Sequence, residues 1–238
     1  MIRTTTGTAD APQVERAYYT IKAGIVEGKY PPGAPLSEIM LARQCGMSRT
    51  PIREGLARLW QEHYLERVVG HGYFVARVTV QSIHDTFDVR RVLEGAAAAR
   101  AAELATAAQV EELRMLAVLP PVAAEDQQRS RSDAPAAYRD AEAANLRFHV
   151  AVASAARNDL MLELIQRCLA QVDRFMSLGV HFGPFQDAAT EAHLAIVEAI
   201  ARRDPAGARV RMEEHLDCGS RLMKDALLRG QLSAAGVQ

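Results

Sequence analysis

"GMSRTPIREGLARL", residues 46–59, reads as the opening of a helix. Ser48 or Thr50 offers a cap, and Pro51 falls in the first turn, where no amide donor is needed. Ile52, Leu56 and Leu59, joined by Trp60, recur at helical spacing and are expected to face a small core. Arg49 and Arg53 lie four residues apart on another face, so two guanidiniums point outward together near the helix start, with Arg58 further along. Upstream, residues 13–28 read as a helix stopping at Gly28, and "YPPGAPLSE" (30–38) reads as a proline-rich turn whose Ser37 caps a short helix over 38–45. "CGM" (45–47) makes the tight turn into the quoted helix. Downstream, "LERVVGHGYFVARV" (65–78) has two β-branched and aromatic runs around Gly70-His71-Gly72, the pattern of a two-stranded hairpin. Three helices followed by a hairpin predict a winged helix-turn-helix over residues 13–78, behind a disordered tail over 1–12.

A helix with a positive N-terminal end and two outward arginines suits a DNA major groove, where arginine makes paired hydrogen bonds to guanine O6 and N7. A charged helix face is usually only a solvated one. Here the short preceding helix, the glycine turn and the following hairpin supply the parts that place such a face on a duplex. Gly70 to Gly72 make a tip thin enough for a minor groove, and His71 at that tip either meets a phosphate or sits in solvent.

The remainder is helical in pattern, expected over 81–104, 107–118, 137–156, 158–180, 186–203 and 205–229, with a polar loop at 123–135. The fold class is therefore mainly α: an N-terminal winged helix-turn-helix plus a C-terminal all-α bundle over 79–230, with a short tail over 231–238. The connection, about Ala76 to Ser82, is short enough to couple the two halves. With 49% hydrophobic but only 5% aromatic residues in 238, the composition suits tightly packed helices and two modest domains. Charge is mildly uneven: residues 1–78 hold ten Lys/Arg against seven Asp/Glu, and the rest is acidic. Cys45, Cys168 and Cys218 are odd in number and never in a CxxC pair, which argues against a disulfide framework or a thiolate zinc site. "MIRTTTGTADAP" lacks the apolar core of a signal peptide, and no run reaches the roughly 18 apolar residues of a membrane span. A cytoplasmic protein without a membrane partner is expected.

Residues 25–59, "IVEGKYPPGAPLSEIMLARQCGMSRTPIREGLARL", followed by "GHGYFV" (70–75), resemble the DNA-binding domain of GntR-family bacterial transcription regulators. The resemblance implies that Ser48, Arg49, Thr50, Pro51 and Arg53 contact double-stranded DNA or frame those contacts, with His71 and Gly72 in the wing. Gly55, where relatives usually carry alanine, is a departure that weakens the helix by up to about 1 kcal/mol.

"DVRRVLEGAAAARAA" (88–102), "NLRFH" (145–149), "EAHLAIVEAIARRD" (191–204) and "RMEEHL" (211–216) are similar to the helical, FCD-type ligand-binding domain of the FadR-like subfamily. In its metal-binding members three histidines and an aspartate hold a divalent ion. The matching positions are His149, His193 and His215, with Asn145 where the aspartate would be. A lone histidine on a helix is more often structural than a ligand. Three on separate helices, with Asn145 and His149 sharing a face, make a plausible donor set for Zn²⁺ or Ni²⁺. His63, His84 and His181 have no such arrangement. A neutral amide gives the ion less charge than a carboxylate, so another acid has to compensate; Asp140, nine residues before His149, projects from the opposite side of that helix. Arg90 matches the arginine that in relatives faces the cavity and grips an effector carboxylate. An Arg90 to Glu94 surface pair is the equally weighted alternative.

These features together describe a ligand-responsive regulator, of repressor type in this family, binding a palindromic operator as a homodimer and sensing a small organic acid, with a divalent ion in its effector domain. A helical domain that only dimerises is the alternative. A His-lined metalloenzyme lacks support, since ExxH, HExxH and GxSxG are all absent.

Overall fold

A computed structural model describes residues 13–121, 136–177 and 186–234. The expected tail over 1–12, the loop over 123–135, His181 and the last residues of the expected 158–180 helix lie outside them, as do 235–238. The chain divides into two compact units between Arg77 and Val78.

In the first unit α1 (Gln13–Val26), α2 (Glu38–Cys45) and α3 (Arg49–Gln61) precede a small sheet. Ser37 caps α2 by accepting from the Met40 amide at 3.5 Å, and Gly46 ends it at φ 62°, in the left-handed region. Ser48 occupies the cap position of α3, but its side chain makes no capping bond. Ile52, Leu56 and Leu59 are fully buried, as their spacing predicts, whereas Trp60 is 42% exposed and lies beside Arg67 rather than in the core. Successive helical residues are about 100° apart, so Trp60 falls at the margin of the stripe that Ile52, Leu56 and Leu59 fill, and it turns outward. Gly55 also has a reason that sequence does not disclose. A Cβ there would approach the Tyr18 amide nitrogen of α1 to 3.1 Å, so the glycine is what lets the two helices meet. Tyr18 locks the same contact, donating to Glu62 at 2.6 Å beneath the Arg58 guanidinium.

The hairpin is shorter than expected and the sheet is larger. Strands β2 (Leu65–Val68) and β3 (Gly72–Val75) pair antiparallel, and β3 also pairs with β1 (Pro35–Leu36), inside the stretch read as a turn. Two residues leave no periodicity to read, and Pro35 is admissible because β1 is an edge strand.

In the second unit α4 (Val80–Leu104), α5 (Ala107–Ala117), α6 (Ala136–Ala155), α7 (Asp159–Ser177), α8 (Gln186–Ala201) and α9 (Pro205–Ala234) pack around a main apolar cluster, with a smaller one of Ala97, Ala153, Ala156, Ile165 and Leu169 beside it. The last helix runs to Ala234, so it takes in the first four residues of the tail expected from 231. Thr79 and Thr106 open α4 and α5 with reciprocal capping boxes. Ala97, Ala98, Ala101 and Ala102 are fully buried along α4, so neighbouring helices come close to its axis.

Arg203 fixes the far end of that helix. It ends α8 at φ 58°, where glycine is usual, and donates to the carbonyls of Ala102 at 3.0 Å and Ala105 at 2.8 Å, terminal acceptors of α4. Urea unfolding of Arg203→Ala is expected to show a loss of about 1 to 3 kcal/mol, and of Arg203→Gly a smaller loss, since glycine relieves the positive φ while losing the same bonds. Equal losses would show that the backbone conformation carries no strain.

Candidate functional site

At the start of α3, the cap residue Ser48 and Arg49, Thr50 and Arg53 are exposed, while Pro51 is buried in the first turn. Arg49 and Arg53 are brought together by a residue that sequence reasoning missed. Glu38, in the first turn of α2, accepts from Arg49 Nη2 at 3.0 Å and from Arg53 Nε and Nη2 at 3.2 Å each. The hydrogen bond from Arg53 is the largest influence holding the Glu38 carboxyl below its ordinary range. At the wing, Gly70 and Gly72 take positive φ of 79° and 94°, and His71 is exposed with Nδ1 3.2 Å from the Val69 carbonyl. His63 and His84, also exposed, join no cluster.

In the second unit, α6 supplies Asn145 and His149, α8 His193 and α9 His215. Their imidazoles converge: Nε2 of His193 lies 3.2 Å from Nε2 of His215, which lies 3.3 Å from Nε2 of His149. Phe148 stacks on His193 with centroids 3.9 Å apart and fixes its plane. Asn145 is buried, and its Oδ1 has no hydrogen-bond partner among the described residues. Asn145, His149, His215 and Arg90 line one cavity of about 210 Å³, whose apolar wall includes Phe87, Ala188 and Ala192.

Arg90 and Glu94 do pair at i,i+4, but not at the surface: they are 3% and 1% exposed. Arg90 Nε donates to Glu94 Oε1 at 2.6 Å and its guanidinium lies over the Phe87 ring, while Glu94 Oε2 stands 2.6 Å from His149 Nδ1. Glu94 thus places a carboxylate directly behind the histidine cluster. Asp140 is exposed, in keeping with its expected direction.

Electrostatics favour neutral imidazoles. Burial is the largest cause for all three, lowering His149 against the opposing pull of Glu94, lowering His193 far below its ordinary value, and bringing His215 to about 3. Burial would raise Glu94, but Arg90 and then His149 outweigh it and hold the carboxyl at about 2.

A winged helix-turn-helix joined to a helical unit whose mainly apolar cavity carries Arg90, Asn145 and two of the clustered histidines defines a class: DNA-binding regulators with a ligand-binding domain. Residues 13–75 match "Bacterial regulatory proteins, gntR family" and residues 85–217 match the FCD domain. The chain belongs to the gntR family of bacterial regulatory proteins, in its FCD-domain branch, and its relatives are transcriptional regulators, not enzymes. It is 30% identical over 192 residues, 81% of this chain and 80% of the relative, to a protein of Paenarthrobacter nicotinovorans named "Probable D-xylose utilization operon transcriptional repressor". It is 26% identical to the HTH-type transcriptional repressor RspR of Escherichia coli, covering 86% of each chain. An uncharacterized HTH-type regulator of Agrobacterium vitis is 34% identical over 108 residues, 45% of this chain and 63% of that relative's length. Among solved structures, Escherichia coli McbR/YncC shares the fold, with a TM-score of 0.63 at 21% identity over 90% of this chain and 98% of that one. No helix among the described residues is long and apolar enough to cross a membrane.

Because the folded protein refuses protons that the unfolded chain accepts below the ordinary histidine value of 6.5, the metal-free protein loses stability as pH falls through 6.5. Glu94 adds nothing in that window, since both its ordinary value of 4.5 and its folded value lie below it. In chelator-treated protein, the stability difference between wild type and His215→Gln is expected to change by about 1.4 kcal/mol per pH unit between pH 6 and 5. A constant difference would mean that His215 titrates normally in the folded state.

Proposed function

We propose that the chain is a repressor working in the cytoplasm, which binds a palindromic operator as a homodimer and whose DNA affinity is set by a small carboxylate held beside a divalent ion in the cavity of the effector domain. The observation that carries this reading is the meeting of three imidazole Nε2 atoms, 3.2 and 3.3 Å apart, against a cavity that also exposes Arg90 and the unpaired Asn145 Oδ1. The donors fit an ion. Tetrahedral zinc with Zn–N bonds of roughly 2.0–2.1 Å separates its nitrogens by about 3.3 Å. His149, His193 and His215, with Asn145, would hold Zn²⁺ or Ni²⁺, which when bound supplies positive charge facing the cavity.

The effector is held by Arg90 and by shape. Glu94 engages Nε and Nη2 of Arg90, and among the described residues Nη1 has no hydrogen-bond partner, which leaves a donor for an anion. The small volume and the alanines of α8 admit a compact acid. The cavity wall is mainly apolar, and what favours a sensor over a domain that only dimerises is the convergence on it of Arg90, Asn145, His149 and His215. Dimerisation has its own support: Val89 and Val92 on α4 and Leu160 and Leu164 on α7, which packs against α4, are exposed apolar side chains that a second copy can cover. The first residue of α4, Val80, follows the last residue of β3, Val75, after only four residues, so a displacement of the helix bearing Arg90 has a short path to the winged helix.

At the DNA, Ser48, Arg49, Thr50 and Arg53 face the major groove from the start of α3, Pro51 frames them, and His71 and Gly72 approach the minor groove. Arg53→Ala is expected to weaken operator binding by roughly ten- to a hundredfold and to relax base preference at one position of each half-site. Equal loss on operator and random DNA would reduce the role of Arg53 to phosphate contact.

The sensing half is tested by calorimetry of small carboxylates with zinc-loaded protein, chelator-treated protein and His193→Ala. The acid is expected to bind zinc-loaded protein more tightly by about 1 to 3 kcal/mol than the other two. Equal affinity in all three would remove the ion from sensing, and unchanged binding by Arg90→Ala would remove the guanidinium.

A further inference from the structure

We propose that Glu94 is the positioning residue of the histidine site: it fixes the proton of His149, supplies the negative charge that Asn145 lacks, and ties the site to the anion-binding guanidinium of Arg90. The proposal rests on the metal-site reading above, but its geometry is independent of any ion. Glu94 is almost wholly buried and both its oxygens are committed, Oε1 to Arg90 Nε at 2.6 Å and Oε2 to His149 Nδ1 at 2.6 Å. An ionised carboxylate can only accept. The 2.6 Å contact is not in line with the ring N–H, but two facing lone pairs would repel at that distance, so Nδ1 carries the imidazole proton and the lone pair of His149 sits on Nε2, the atom facing His215 at 3.3 Å. Without this contact either tautomer of a buried neutral imidazole is open, and one of them puts a proton in the centre of the cluster.

Charge follows the same contact. A carboxylate behind a ligating imidazole raises its donor strength, and partners of this kind are worth ten- to a hundredfold in metal affinity. The burial of Glu94 is made tolerable by Arg90, whose Nη2 also reaches Oε2 at 3.4 Å. An anion received at Nη1 offsets part of the positive charge that Glu94 feels, leaving more of the carboxylate's field for His149. The acid and the histidine site are thereby linked through the protein, even when the acid never touches an ion.

The test uses the full chain and Zn²⁺ alone, titrated in competition with a chromophoric chelator, together with ¹⁵N spectra of the imidazoles in metal-free wild type. Glu94→Gln strands the Arg90 charge in the interior and can fail to fold, so Arg90→Gln/Glu94→Gln, which removes both charges, carries the measurement as well. Loss of Arg90 alone favours a cation, so a weaker site in the double variant isolates the carboxylate. The expected results are a ten- to hundredfold weaker Zn²⁺ affinity in the folded double variant and a His149 proton on Nδ1 in wild type. Zn²⁺ affinity within threefold of wild type in the folded double variant, or a His149 proton on Nε2, would overturn the proposal. Wild type that binds no Zn²⁺ would instead sink the metal reading, and the ¹⁵N spectra would still decide whether Glu94 positions His149.

Discussion

A charge cannot be buried alone, and the effector domain is arranged around that constraint. Glu94 sits at the middle of α4 with almost no solvent, and it is stable there because Arg90, one turn earlier, and His149, from α6, each meet one of its oxygens. The fully buried alanines that follow let α4 lie close to its neighbours, and the capping box at Thr79 and the guanidinium of Arg203 hold its two ends. One helix thus sets the position of the cavity guanidinium and of a cluster imidazole together, so the two groups share a single support.

How much of this could be read from sequence depended on whether a feature is local. The recognition helix, the wing and the C-terminal helices are written in periodicity and punctuation, and the family motifs carry the same information twice. The three histidines came from resemblance, and the structure brings them together with Nε2 atoms inward, a direction no spacing argument supplies. The strand at Pro35–Leu36 was illegible because two residues have no period and their pairing partner is some 40 residues away.

Glu38 and Glu94 were missed for a shared reason. A carboxylate three or four residues from an arginine reads as a solvated surface pair, and one on a neighbouring helix does not register at all. A signal for Glu94 was present nonetheless. Phe87, Arg90, Glu94, Ala97, Ala98 and Ala101 fall on one stripe of α4, at the three- and four-residue steps that mark a buried face. An ion pair embedded in such a stripe is an interior pair. The neutral Asn145 pointed the same way, since it demanded an acid from elsewhere and the only other carboxylate weighed, Asp140, faces water.

The two halves use one chemical device at opposite ends of solvent exposure, and burial decides what each can do. Glu38 holds Arg49 and Arg53 in water, where an ion pair is worth little and is further screened by salt, so phosphates and base edges can take the arginines over at small loss. Until then the carboxylate keeps both side chains side by side, which reduces the rotamer freedom they must give up on a duplex. Glu94 holds Arg90 in the interior, where breaking a pair leaves an uncompensated charge and costs about 3 to 5 kcal/mol. An incoming acid therefore cannot take Arg90 away from Glu94; it has to add itself at the remaining donor. On the proposed reading, exchange at the surface would let the first arginine site release DNA readily, and addition in the core would let the second respond to a ligand without dismantling the helix that carries it.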